Sequence, residues 1–187
     1  MADIDFEKLL HYTKQFSGLT AEMEETLTGL TGKVDPHLEN ITDSFYSVLL
    51  EIPKAEPFLS GRIESLKKTH IQWLKSVFSG PFDIRYVEAM YHVGDVHVKA
   101  NLPVEFMAGA MSLVATRINQ LLGNAFVDDP KHLIKAITAV NAVLGFTLMI
   151  MQQSYESSRL AEELEKFLKI TGMSRTLFDN LASAYTK

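Results

Sequence analysis

Apolar residues recur every three or four positions along almost the whole chain, and no alternating run is long enough to make a strand. The pattern predicts an all-helical protein. Phe6, Leu9, Leu10 and Phe16 form the stripe of a short first helix that Gly18 closes. Thr20 caps a second helix, whose stripe is Met23, Leu27 and Leu30. A third runs from Pro36 to Ile52 on Leu38, Ile41, Phe45, Val48 or Leu49, and Ile52, and Pro53 stops it. The next spans Gly61 to Ser79. Its stripe is Ile63, Leu66, His70, Trp73 and Val77, and Gly80-Pro81 ends it. Another occupies Asp83 to Ala100, before Asn101-Leu102-Pro103. Pro103 suits the first turn of a helix carrying Met107, Met111, Val114, Ile118 and Leu121. Asp128-Asp129-Pro130 opens a last, long helix that reaches Tyr155 and continues toward Leu168.

That last helix is apolar on two sides. Ile134, Ile137, Val140, Leu144, Leu148 and Met151 make one stripe, and Ala136, Ala139, Val143, Phe146 and Ile150 the other. A helix of this kind is buried on both sides. In a chain of 187 residues the second side is expected to meet another subunit. Two long C-terminal helices from each copy would then form the four-helix interface of a homodimer. The most apolar stretch, Ala139 to Met151, is too short to span a bilayer and is interrupted by Asn141 and Thr147, so no membrane span is expected. Beyond Ser157 the apolar residues Leu160, Leu164, Phe167 and Leu168 lie among Glu162, Glu163, Glu165 and Lys166. The expected division is one domain over residues 1–160 and a helical extension or linker over 161–187.

Composition narrows the function. A net charge of −5 without a dense Lys/Arg block gives no reason to expect nucleic acid. The absence of cysteine rules out disulfides, zinc–thiolate sites, iron–sulfur clusters and thioether-linked haem. It also fits a reducing compartment, and the acidic start Met1-Ala2-Asp3-Ile4-Asp5 lacks an apolar signal region, so the expected location is cytoplasmic. No phosphate-binding glycine loop, HExxH pair or activated nucleophile is present.

What remains is a small set of polar residues on apolar faces. His11, His37 and His132 sit among polar neighbours and read as surface residues. His92 and His97 are five apart and point roughly 140° away from each other, so one metal cannot take both from a regular helix. Met90, Val93, Val96 and Ala100 favour the side of His97, which leaves His92 at the rim. His70 occupies a core position between Leu66 and Trp73. Burying an imidazole without a partner costs on the order of 1–3 kcal/mol, so a hydrogen bond or a metal must compensate. Tyr46 follows the core residue Phe45, on the side of Leu49 and Leu50, and its hydroxyl needs either a carbonyl or a bound ligand. One metal-binding imidazole facing a tyrosine and a second imidazole is what a haem pocket requires. The same residues fit a cofactor-free helical scaffold in which His70 and Tyr46 are merely hydrogen-bonded.

The order of short segments favours the first reading. Phe45-Tyr46 to Pro53, then Phe58-Leu59, Leu66-Lys67-Lys68-Thr69-His70-Ile71-Gln72-Trp73-Leu74, Phe78-Ser79, Val96-His97-Val98 and Leu102-Pro103 together resemble the globin domain of globin-coupled sensors, over about residues 20–160. The resemblance implies a modified globin fold with an extra N-terminal helix and a degenerate D helix. It implies haem b held between the helix of His70 and the helix of His97. His97 matches the proximal iron ligand, Tyr46 the distal tyrosine that bonds bound oxygen, and Trp73 a pocket-wall aromatic. Leu66, Val77, Val96 and Phe106 complete the expected lining. His70 replaces a residue that in most members does not ligate, and it is a candidate distal ligand. Lys67, Lys68 and Lys99 are candidates for the propionates. The implied function is a regulatory domain that binds O2, CO or NO and drives a C-terminal output. The alternative is a haem enzyme with peroxidase-like or nitric-oxide-consuming chemistry. Two departures bear on the proximal side: Ala100-Asn101 stands where many relatives have Ile-Gly, and Glu105-Phe106 replaces an aromatic pair.

Overall fold

The computed structural model describes residues 4–185 and is helical throughout, with no strand among those residues. The first helix, α1 (Phe6–Ser17), starts where the Asp5 carboxylate accepts from the Lys8 N–H. It ends on Gly18 at φ 69°, where the Gly18 and Leu19 N–H groups reach back to the Gln15 and Lys14 carbonyls, a Schellman closure that needs a left-handed residue. Thr20 caps α2 (Ala21–Val34) as its position predicts. A single 3-10 turn, Asp35–His37, then leads into α3 (Leu38–Leu50), so the proline at 36 lies in the turn before the helix.

Pro53–Ala55 is another 3-10 turn, and Glu56–Leu59 forms the four-residue α4. This is the shrunken D helix that the family resemblance implies and the periodicity alone does not reveal. After it come α5 (Ile63–Ser79), α6 (Ile84–Lys99), α7 (Val104–Ala125), α8 (Pro130–Thr171) and α9 (Arg175–Tyr185). Asp83 caps α6 and Asp129 caps α8. Pro103 serves as the residue before α7 rather than inside its first turn. On α7 the innermost late position is Leu122, fully buried, while Leu121 is half-buried, a shift of one residue from the expected stripe.

The core centres on α8, which packs against α1, α2, α6 and α7. Its stripe Ala136, Ala139, Val143, Phe146 and Ile150 is fully buried. The other stripe is mixed: Val140, Leu144 and Met151 are buried, Ile137 and Leu148 half-buried, and Ile134 is exposed. By length and composition α8 is one helix that could cross a membrane, yet it lies at the centre of the bundle. It also runs without a break through residues 160 and 161, so the change in composition there is not a change in backbone.

α6 lies along α8, and their contact carries a buried polar pair. The Tyr86 hydroxyl is 2.8 Å from Thr147 Oγ1, beneath the rings of Phe82 and Phe146. Thr147 donates to the Val143 carbonyl, so Tyr86 donates to Thr147. Burial pushes the Tyr86 phenol up to about 12, with the bond to Thr147 opposing. Tyr86→Phe is expected to cost about 1 kcal/mol in urea unfolding, the loss of a buried hydroxyl whose partner Thr147 keeps its bond to the Val143 carbonyl.

Candidate functional site

α3 and α5 pack face to face and bring three aromatic residues around one histidine. The His70 ring stacks on Phe45 at 4.6 Å between centroids and on Trp73 at 5.4 Å, and Tyr46 meets it edge-on at 5.8 Å. Their places follow from helical spacing. Trp73 lies one turn after His70, and Phe45 and Tyr46 are the adjacent inward positions of α3. His70 Nδ1 is buried and has no hydrogen-bond partner, as is the indole N–H of Trp73. Burial alone pushes His70 down to about 4, so the ring is neutral at physiological pH and keeps one nitrogen lone pair.

Tyr46 is buried, and desolvation pushes its phenol up to about 12. It therefore remains an O–H donor at any physiological pH. One turn ahead of both residues, Lys67 Nζ lies 2.8 Å from Asp43 Oδ1 and ties α5 to α3 at the surface. Lys67 is thus committed to a carboxylate, while Lys68 and Lys99 are exposed.

His97 lies in the last turn of α6. Its Nδ1 is 2.7 Å from the Val93 carbonyl oxygen. A carbonyl can only accept, so Nδ1 carries the proton and donates it, and Nε2 holds the lone pair. Burial holds His97 below the usual histidine range, with the Val93 bond opposing. A neutral imidazole with one nitrogen anchored and the other free to donate electrons is the form in which histidine binds a metal. Among the described residues no group of three or more His, Cys, Asp or Glu could hold a bare ion. A single imidazole suits a metal whose equatorial positions come from a macrocycle. α5 packs on α2 and α3, whereas α6 packs on α8 and α1, and no extended contact joins α5 to α6. The donor set therefore fits haem: one anchored neutral imidazole on α6, and an aromatic wall with an unpartnered imidazole on α3 and α5.

The remaining expected residues fall in different surroundings. Leu66 and Phe106 are half-buried against the core, and Phe106 meets Phe58 of α4 at 6.0 Å between ring centroids. Val77 is fully buried in the core. Val96 is 51% exposed next to His97, off the inner face of α6 that runs through Val87, Met90 and Gly94; residue 96 lies about 200° round from Gly94. His92 is exposed, as are His11, His37 and His132. Two residues were not singled out by the pattern. Phe45 reads as ordinary core, yet it is the closest stacking partner of His70. Gly94 carries no signal of its own in the sequence, yet it has a reason to be glycine that only three dimensions reveal.

An anchored imidazole on α6 and a tyrosine–histidine pair on α3 and α5 thus sit in one all-helical bundle. The Protoglobin family model matches residues 6–161, and the chain belongs to that family. Family membership carries haem binding with it. The globin domain of the Geobacter sulfurreducens globin-coupled sensor is 31% identical, with a TM-score of 0.73 over 78% of this chain and 96% of that one. The ferric and ferrous forms of the globin domain of E. coli DosC are each 18% identical. Their TM-scores are 0.63 and 0.61, covering 75% and 74% of this chain and 97% of theirs, a likeness of fold alone. No curated protein matches.

Proposed function

We propose that this domain binds haem b between α5 and α6, with His97 Nε2 as proximal ligand, and senses a diatomic gas: O2, CO or NO. The observation that carries the reading is the bond from His97 Nδ1–H to the Val93 carbonyl, which leaves Nε2 as the donor nitrogen. Haem would supply an iron that binds a diatomic gas. Everything else is done by the chain.

His70, a neutral imidazole on α5, would supply a second nitrogen donor to the haem iron. The contrast between the two histidines decides which one yields. His97 is anchored through its second nitrogen, whereas His70 has a nitrogen without a protein partner, so His70 is the weaker and exchangeable ligand. Tyr46 stays protonated and donates its hydroxyl to a gas molecule on that side. Phe45 and Trp73 keep water away. The reading as a sensor domain extends to a homodimer formed through α7 and α8, a cytoplasmic location, and an output on the C-terminal side of α8.

The test is a haem titration of the purified chain. The expected result is 1:1 uptake with a six-coordinate low-spin spectrum, and conversion to a five-coordinate or water-bound spectrum in His70→Ala. A chain that stays colourless ends the haem reading. An unchanged spectrum in His70→Ala ends the bis-histidine part only. Turnover with peroxide or nitric oxide would favour the enzyme alternative over the sensor.

A further inference from the structure

Gly94 is unlike the other helical glycines of this chain. A Cβ built on Gly29, Gly32, Gly109, Gly123 or Gly145 meets nothing within 4 Å. A Cβ on Gly94 would fall against Ser154 Oγ, 2.5 Å from the Met151 carbonyl oxygen and 3.0 Å from Met151 Cα. Two of these three atoms are backbone and cannot swing aside. Glycine inside a helix costs about 1 kcal/mol relative to alanine, so its presence here matches a contact that no side chain could allow. At this point α6 lies directly on the backbone of α8. Ser154, fully buried, donates its hydroxyl to the Met151 carbonyl and so adds to the same rigid turn.

The position of this contact matters as much as its closeness. The carbonyl that holds His97 Nδ1 belongs to the Val93–Gly94 peptide. One end of that peptide unit therefore grips the imidazole, and the other end presses on α8. We infer that Gly94 is a positioning residue that couples His97 to α8. Movement of the imidazole pulls on the Val93 carbonyl, tilts the Val93–Gly94 peptide, and bears on the Met151–Ser154 turn. The Met151 backbone meets Gly94 directly, with the hydrogen-bonded Ser154 hydroxyl beside it, and close-packed groups of this kind transmit strain. From Ser154 onward α8 continues unbroken to Thr171. This rests on the assignment of His97 as iron ligand.

The experiment compares amide hydrogen exchange of reduced holoprotein with and without CO, reading the peptides of α8 from Tyr155 to Thr171. In the wild-type chain CO is expected to change exchange there. Gly94→Ala, whose methyl has no room against the Met151 backbone and must push α6 off α8, is expected to keep His97-ligated haem by its spectrum and to lose the CO-linked difference. Gly109→Ala, which has open space, is expected to retain it. Ser154→Ala removes the hydroxyl above Gly94 without adding bulk and should reduce the difference. It decides the matter if Gly94→Ala does not fold. The coupling is overturned if the haem-loaded variants respond to CO as the wild type does, or if the wild type shows no change beyond Ser154. A wild-type chain that takes up no haem ends the functional reading and the coupling together, whereas haem uptake without the exchange response ends the coupling alone.

Discussion

His97→Ala is expected to release haem while leaving the bundle folded. The histidine is only half-buried, on the last turn of α6, and its one hydrogen bond is to its own helix, so its removal leaves no cavity in the core. The iron bond is another matter. Loss of an outer partner of a metal-bound histidine already costs 10–100-fold in metal affinity, so loss of the ligand itself should weaken haem binding by more than about 100-fold. Transfer of haem to a scavenging competitor measures this, with far-ultraviolet circular dichroism as the control for folding. Imidazole added to the solution should restore a proximal-type spectrum, which a purely structural histidine would not permit. Wild-type retention of haem by the variant would remove His97 from the site.

The second large effect is acid sensitivity of the haem-free chain, traced to His70. Its folded value lies at about 4, against an ordinary value of 6.5. The unfolded chain therefore binds a proton that the folded chain rejects between those two values. Stability from this group is complete above about pH 6.5, declines as the pH falls toward 4, and changes no further below that. The depression corresponds to as much as about 3 kcal/mol, since each pKa unit is worth 1.36 kcal/mol. Urea unfolding at pH 7, 5.5 and 4.5 should show the decline, and His70→Leu should flatten it. If both chains lose stability in parallel, the acid response belongs to other groups.

The elements were legible because their signals are local. Gly18, Thr20, Gly80-Pro81, Asp83 and Asp129-Pro130 punctuate the chain where the helices begin and end. The short α4 was not, because four residues are too few to show a period. In the site, His70 and His97 stood out as imidazoles on apolar faces. Val96 is exposed beside His97, and no spacing within one helix decides whether such a residue faces the core or a bound group. Phe45 and Gly94 were hidden for a different reason. Their importance lies in what another helix brings to them: the His70 ring in one case and the Met151 backbone in the other. No spacing within a single helix encodes that.

The unbroken course of α8 sets a scale for mechanical output. Forty-two helical residues extend about 63 Å, and the part beyond Ser154 is roughly 25 Å of that. If the proposed coupling through Gly94 holds, such a rod would act as a lever arm with its fulcrum in the globin. A tilt of about 5° at the fulcrum would carry the far end sideways by about 2 Å, enough to change which residues meet there.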